Sequence, residues 1–429
     1  MRMYVLLAGV LLLARIGLGQ AAPSAVPASA AIRELEKQLS TGNDAAADNF
    51  WSSVSLHHSP IVELDPADAN YSFVTFVWRG DQATRNVVVV SPLALVNFED
   101  AEMRQISGMS VWYKTYRVRN DARMTYRFAV NDSLVPFEKE PNFFERMKSW
   151  KTDPQNPQTF NVGGGILASV LELPSAPSEK WTETRESAPK GTISQHSFES
   201  PLLQNQRTIW VYKPPHFELG KSYPLLLIMD GDSYTSLIPT PVILDNLIAA
   251  RAIPPVTAVL IGNGPGDARD REMNCNRLWS QALAKELLPW LRSELVLRFE
   301  DKDSVIVGDS LTGLAAACAA HDFPAVFGKV ISQSGSYFRS PPTEEPEWLA
   351  RHLATEPALP IRFYLEAGLL ETAAIPSRDP SMLTANRHLR DVLLAKGNKV
   401  KYVEHFSGHE HVSWRATIGE ALIDMLSSK

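Results

Sequence analysis

The chain is poor in cysteine. Two in 429 residues, Cys275 and Cys318, cannot build the disulfide framework of a small secreted domain. A single bridge between them is one option. The other is a reduced, buried Cys318, and its place in the alanine-rich segment Leu314–Ala320 favours that second option. A basic run is missing too. Net charge is −6, from 42 lysines and arginines against 48 acidic residues, which speaks against nucleic acid as a partner. No internal repeat, calcium-loop pattern or helical H-E-x-x-H is present. The apolar run Tyr4 to Leu13 is too short to span a bilayer, and Arg15 interrupts its continuation.

That run does suit a secretory signal. Arg2 supplies the positive start and Gly19-Gln20-Ala21 a small-x-small cleavage site. Residues 1–21 are therefore expected to be a signal peptide, giving a periplasmic or secreted protein with no stable membrane insertion after cleavage. An uncleaved anchor is the alternative. No cysteine follows, which excludes a lipidated N-terminus. The Ala/Pro-rich stretch that comes next predicts a mobile leader over 22–51.

The mature chain divides in two. Over 52–173 short alternating segments such as Tyr71–Arg79, Asn86–Val90, Val111–Val118 and Met124–Val130 predict a small all-β sandwich. A polar, proline-bearing linker follows over 174–192. Over 193–429 apolar strands alternate with helical segments. That pattern predicts a doubly wound, mostly parallel α/β sheet, the architecture of an α/β-hydrolase.

Gly308-Asp309-Ser310-Leu311-Thr312-Gly313 carries the chemistry. It follows the buried-strand run Val305-Ile306-Val307 and opens a helix. Strand, tight turn, serine, helix is a nucleophile elbow, with Ser310 lifted above the sheet. The N–H of Leu311 then faces the place where an oxyanion develops. Thr312 stands where a small residue is usual, and predicts slightly looser packing of helix on strand.

In this fold the order along the chain is serine, acid, histidine. The strand Val400–Phe406 leads into Ser407-Gly408-His409, which makes His409 the base. The strand Ile361–Ala367 leads into a loop where the acid belongs. Glu371 ranks first there, Asp379 second, and Glu366, inside the strand, third. His405, His409 and His411 share one segment, but their spacing on strand and loop does not put three rings on one face. A metal site is thus disfavoured, with His405 and His411 expected at the surface. Met229-Asp230-Gly231-Asp232 ends another strand, and its loop supplies the second oxyanion N–H, at Gly231 or Asp232. The charged stretch Arg269-Asp270-Arg271-Glu272 reads, taken alone, as a solvated loop.

Across nearly the whole mature chain these segments resemble the enterochelin (enterobactin) esterase family. The resemblance rests on Asp153-Pro154-Gln155-Asn156-Pro157, Leu171–Pro177, Met229-Asp230-Gly231, Arg269–Glu272 before Cys275-Asn276, and Ser332-Gln333-Ser334-Gly335-Ser336-Tyr337. It continues through Glu366-Ala367-Gly368 with Glu371, Ala385-Asn386, and Gly408-His409 with Trp414-Arg415. It implies a β-domain ahead of an esterase domain and hydrolysis of a catecholate siderophore trilactone. It also implies a Ser310, His409, Glu371 triad and no cofactor, any iron arriving with the substrate. A ferric tris-catecholate is strongly anionic, which gives Arg269 and Arg271 a role as its partners, with Glu272 orienting one of them. The chain departs from the family at Thr312 and at Ser407-Gly408-His409-Glu410, where the usual run is G-G-H-D. Two rival readings are a feruloyl- or acetyl-ester hydrolase with a carbohydrate-binding β-domain, and a non-catalytic siderophore-binding protein. The latter has no need of an intact triad.

Overall fold

The computed structural model describes residues 29–373 and 380–427. The signal segment expected over 1–21 and the candidate acid Asp379 lie outside these residues.

The N-terminal domain has eight strands: β1 (Ile61–Leu64), β2 (Tyr71–Arg79), β3 (Val87–Val90), β4 (Arg104–Gln105), β5 (Val111–Arg119), β6 (Arg123–Val130), β7 (Thr159–Asn161) and β8 (Leu167–Glu172). They form two antiparallel four-stranded sheets, ordered β1-β2-β5-β4 and β3-β6-β8-β7. Side chains alternate along each strand. Val74 and Phe76 of β2 and Met124, Tyr126 and Phe128 of β6 therefore point into one shared core. The opposite face of the first sheet carries Val77, Val111 and Tyr113, and two helices cover it.

Those helices correct the expected leader. Ala30–Ser40 and Ala46–His57 are helical, and Ile32, Leu35, Phe50, Trp51 and Val54 seal the outer sheet face. Ile32, Leu35 and Leu39 lie on one helical stripe. The Ser29 hydroxyl caps the first helix, accepting from the Ile32 N–H at 3.1 Å. The alanine and proline content of the preceding residues hid this stripe.

Residues 174–191 hold neither strand nor helix. They are pinned to the second domain nonetheless. Asn246 donates to the carbonyls of Trp181 and Glu183, both at 2.8 Å. The Trp181 ring also sits so close to Gly419 that a Cβ there would lie 2.5 Å from it.

The second domain has an eight-stranded sheet built from β9 (Thr192–Ser200), β10 (Asn205–Lys213), β11 (Leu225–Ile228), β12 (Thr257–Ile261), β13 (Val305–Asp309), β14 (Lys329–Gln333), β15 (Arg362–Gly368) and β16 (Lys399–His405). Its order is β16-β15-β14-β13-β11-β12-β10-β9. From β11 to β16 all pairs are parallel, while β10 pairs antiparallel with both neighbours. Leu225 and Leu227 pack on one face, Leu226 and Ile228 on the other, and helices bury both. This is the α/β-hydrolase fold. The polar strand β9 escapes a reading of the sequence because most of its side chains are exposed. Among the described residues, no helix is long and apolar enough to cross a membrane.

Cys275 and Cys318 are joined in a disulfide, with Cα atoms 5.3 Å apart. The favoured reduced Cys318 is thereby corrected. Both residues belong to one core cluster, where the elbow helix faces the loop after the helix Ala268–Met273.

Candidate active site

Ser310, Glu371, His409 and Gly231 follow the carboxyl ends of the parallel strands, where ligands of such sheets bind. Ser310 follows β13 and has φ +52°, the left-handed region that a non-glycine residue enters at a cost of about 1–3 kcal/mol. Its neighbours make that possible. A Cβ on Gly308 would meet the Thr312 carbonyl oxygen at 2.3 Å, and one on Gly313 would meet the Ser332 hydroxyl at 2.6 Å. The Ser310 carbonyl accepts the Ser336 N–H at 2.8 Å, so the S-Q-S-G-S-Y run braces the elbow from β14. Thr312 is fully buried and serves as a tie. Its hydroxyl accepts from the Asp309 N–H at 3.0 Å and lies 3.1 Å from the Asp230 carboxylate.

Two short contacts define the chemistry. His409 Nε2 is 2.8 Å from Ser310 Oγ, and His409 Nδ1 is 2.8 Å from Glu371 Oε1. The Glu371 side chain is 2% exposed, and its other oxygen accepts the Gly368 N–H at 3.1 Å. A buried, anchored carboxylate fixes the imidazole with Nε2 turned to the serine. Trp414 stands edge-on to the His409 ring, 4.9 Å away.

The other acid and histidine candidates have different surroundings. Glu366 lies under the sheet edge, accepting from Gln333 at 2.8 Å and Thr417 at 2.6 Å. His405 is 3.6 Å from it. Burial works against charge on His405, but the Glu366 carboxylate outweighs burial and raises its pKa. His411 packs on Trp414 and lies 3.9 Å from Asp309, its pKa pushed down to about 4 by burial and by His409. Both rings are half-buried rather than freely exposed as expected, His405 beside β15 and His411 at the start of the closing helix His411–Leu426.

Leu311 and Gly231 each stand in the first turn of a helix, Ser310–Asp322 and Gly231–Ser236, where backbone N–H groups have no helical partner. A Cβ on Gly231 would lie 2.9 Å from the backbone of Leu260 and Ile261, so only glycine fits beside β12. Asp232 is next in the same turn. The two turns are tied by Asp230, with φ +52°. Its carboxylate takes a two-pronged contact from Arg269 at 2.8 and 2.6 Å and a third from Asn263 at 2.7 Å. Burial pushes the Asp230 pKa up, but the Arg269 fork outweighs burial and leaves it lowered. Asp309 beside it has no such partner, and burial and the Asp230 charge raise it well above the carboxylate range.

The charged segment, read as a loop, is helical over Ala268–Met273. Arg269 is committed to Asp230 beneath the oxyanion turn. Arg271 is exposed and pairs with Asp267 at 2.6 Å. Glu272 orients neither, pairing instead with the buried Arg207 at 2.8 Å.

A family model described as "Putative esterase" matches residues 200–425, and one described as "Enterochelin esterase, N-terminal" matches 73–182. The chain belongs to the enterochelin esterase family. It is 27% identical over 413 residues to the iron(III) enterobactin esterase of Escherichia coli O6:H1, covering 90% of this chain and 98% of that one. It is 25% identical to the iron(III) salmochelin esterase of the same organism, covering 92% and 96%. The crystal structure of ferric enterobactin esterase from Salmonella typhimurium superposes with a TM-score of 0.72 at 25% identity, covering 88% and 98%. A Shigella flexneri enterobactin esterase solved in the presence of enterobactin gives 0.68 at 25%, covering 88% and 97%.

In this chain the β-domain also builds part of the site. Glu410, next to His409, reaches across to β6, where its carboxylate accepts the Thr125 N–H at 3.0 Å and the Thr125 hydroxyl. Pro92 closes on Gly408 so tightly that a Cβ there would lie 2.5 Å from the proline ring. Between this clamp and the second sheet of the β-domain lies a cavity of about 260 Å³, reaching His409 and lined in part by Trp150, Phe160 and Phe143. Nothing in the sequence flags these contacts, since they join residues far apart along the chain, 285 positions for Thr125 and Glu410.

Proposed function

We propose that this protein is a serine esterase that hydrolyses the trilactone of a catecholate siderophore such as ferric enterobactin, releasing its iron. The hydrogen-bonded line Ser310–His409–Glu371 carries the reading, in a chain that matches an iron(III) enterobactin esterase along 90% of its length. His409 Nε2 takes the Ser310 proton as Oγ attacks a lactone carbonyl. Glu371 holds the tautomer and balances the imidazolium that forms. The N–H groups of Leu311 and of Gly231 or Asp232 receive the oxyanion. His409 then protonates the leaving alkoxide and activates the water that clears the acyl-enzyme. The steps are acyl transfer throughout and run on the chain's own groups, with iron as cargo.

The proposed setting is the periplasm or the cell exterior, after removal of residues 1–21. The Cys275–Cys318 bridge supports it, since disulfides persist in oxidising compartments. The test is mass spectrometry of products from ferric and iron-free enterobactin incubated with residues 22–429, beside methyl ferulate. Dihydroxybenzoylserine fragments made by the parent and lost in Ser310→Ala are expected. Turnover of methyl ferulate alone would sink the siderophore reading in favour of a feruloyl-ester hydrolase.

A further inference from the structure

Burying a guanidinium without a counter-charge is costly, and among the described residues one buried arginine stands apart from the rest. Arg123 faces Glu172, Arg146 faces Asp132 and Glu140, and Arg207 faces Glu272. Arg127 is also buried, at 6% exposed, yet no carboxylate among the described residues pairs with it. Its one hydrogen bond among the described residues is a donation to the Met147 carbonyl at 3.2 Å. The guanidinium lies 4.7 Å from the centre of the Trp150 ring. Burial alone acts on its pKa, and lowers it.

Its position gives that exception a purpose. Alternation along β6 sends Met124, Tyr126 and Phe128 into the domain core and Thr125 and Arg127 to the other face. Thr125 holds Glu410 beside the catalytic histidine, and Arg127 is the next residue on that face. Both line the cavity that reaches His409, together with Trp150 and Phe160. At about 260 Å³ the cavity lies below the roughly 300–1,000 Å³ that drug-sized ligands fill, so it suits one aryl arm and not a whole trilactone.

We propose that Arg127 is the anion-recognising residue of this site, receiving the oxygens of one catecholate arm while Trp150 and Phe160 take its ring. A planar fork beside an aromatic face matches a ring bearing two adjacent anionic oxygens. Arg269 is bound to Asp230 and Arg271 to Asp267, whereas Arg127 has no carboxylate partner among the described residues. The proposal rests on the siderophore reading for its ligand class.

Two arms test it. In the Ser310→Ala background, affinities for ferric enterobactin and for its tribenzoyl analogue, which lacks the catechol hydroxyls, are read by tryptophan quenching. Adding Arg127→Gln should weaken ferric enterobactin about tenfold and the analogue less than twofold, as for one lost charge-assisted contact. Arg127→Lys should recover part of the loss. Equal weakening of both ligands, or none, overturns the proposal, as does a parent that fails to bind ferric enterobactin. Product analysis of the parent with Ser310 intact separates the two readings. Hydrolysis without an Arg127 effect removes this inference alone. An Arg127 effect without hydrolysis removes the esterase reading alone.

Discussion

Glu410 and Thr125 sit some 285 residues apart in sequence and share a doubly donated carboxylate contact across the domain boundary. Glu410 is covalently next to His409, so the β-domain has a direct hold on the loop that carries the base. Pro92 against Gly408 is a second hold one residue earlier on the same loop. The N-terminal domain thereby contacts the loop that carries His409 at two points.

Thr125→Ala should lower kcat several-fold with KM within about twofold, because it loosens the His409 loop while leaving the oxyanion turn in place. Thr125→Ser should restore most of the rate. A matching rise in KM, or failure of serine to rescue, would make Thr125 a packing residue only.

The catalytic domain was readable because its parallel strands are apolar on both faces and its elbow is a local pattern. Ser310, Leu311 and Gly231 all sit where strand meets turn. His409 and Glu371 followed from the order of strands. The tie from Arg269 to Asp230 was not legible because a surface-like charge pattern, R-D-R-E, carries no mark of a buried carboxylate partner. The helices of Ala30–His57 were hidden by a preceding alanine- and proline-rich stretch, and β9 by its exposed polar side chains. Arg127 drew no notice because its meaning lies in a missing partner, which only packing reveals.

Arg269→Ala is expected to damage both substrate classes alike. It strips Asp230 of its fork and slackens the turn that presents Gly231. The Arg269 side chain is 35% exposed, so the loss falls below the 3–5 kcal/mol of a wholly buried pair, at roughly 2 kcal/mol. Thermal melting together with kcat on ferric enterobactin and on a neutral p-nitrophenyl ester checks it. A KM rise confined to the ferric substrate, with melting unchanged, would return Arg269 to substrate recognition.

Replacing both Cys275 and Cys318 by alanine should cost about 2–4 kcal/mol, since the bridge closes a loop of 43 residues and ties the elbow helix to a neighbouring loop. Thiol titration of the denatured protein exported to a bacterial periplasm should find no free thiol. Two free thiols, with a melting temperature equal to that of the double variant, would remove both the bridge and its support for an oxidising compartment.

Glu410 makes stability depend on pH in a direction opposite to most carboxylates. Burial at the domain boundary pushes its pKa up to about 7, against 4.5 for a free glutamate, and the Thr125 contacts and Glu371 adjust that shift in opposite senses. Between these values the folded protein keeps a proton that the unfolded chain has released. Stability from this group is therefore full below about pH 4.5 and declines as pH rises toward 7. Glu410→Gln removes the titration while its amide oxygen still accepts the Thr125 N–H. The melting temperature of the variant should gain on the parent as pH rises from 5 to 8, by on the order of 1 kcal/mol or about 2 °C. The effect is held to that size because the side chain borders the open cavity, where solvent screens the charge. Parallel melting curves across that range would show that Glu410 titrates as an ordinary surface carboxylate and that the contact to Thr125 leaves its proton affinity untouched.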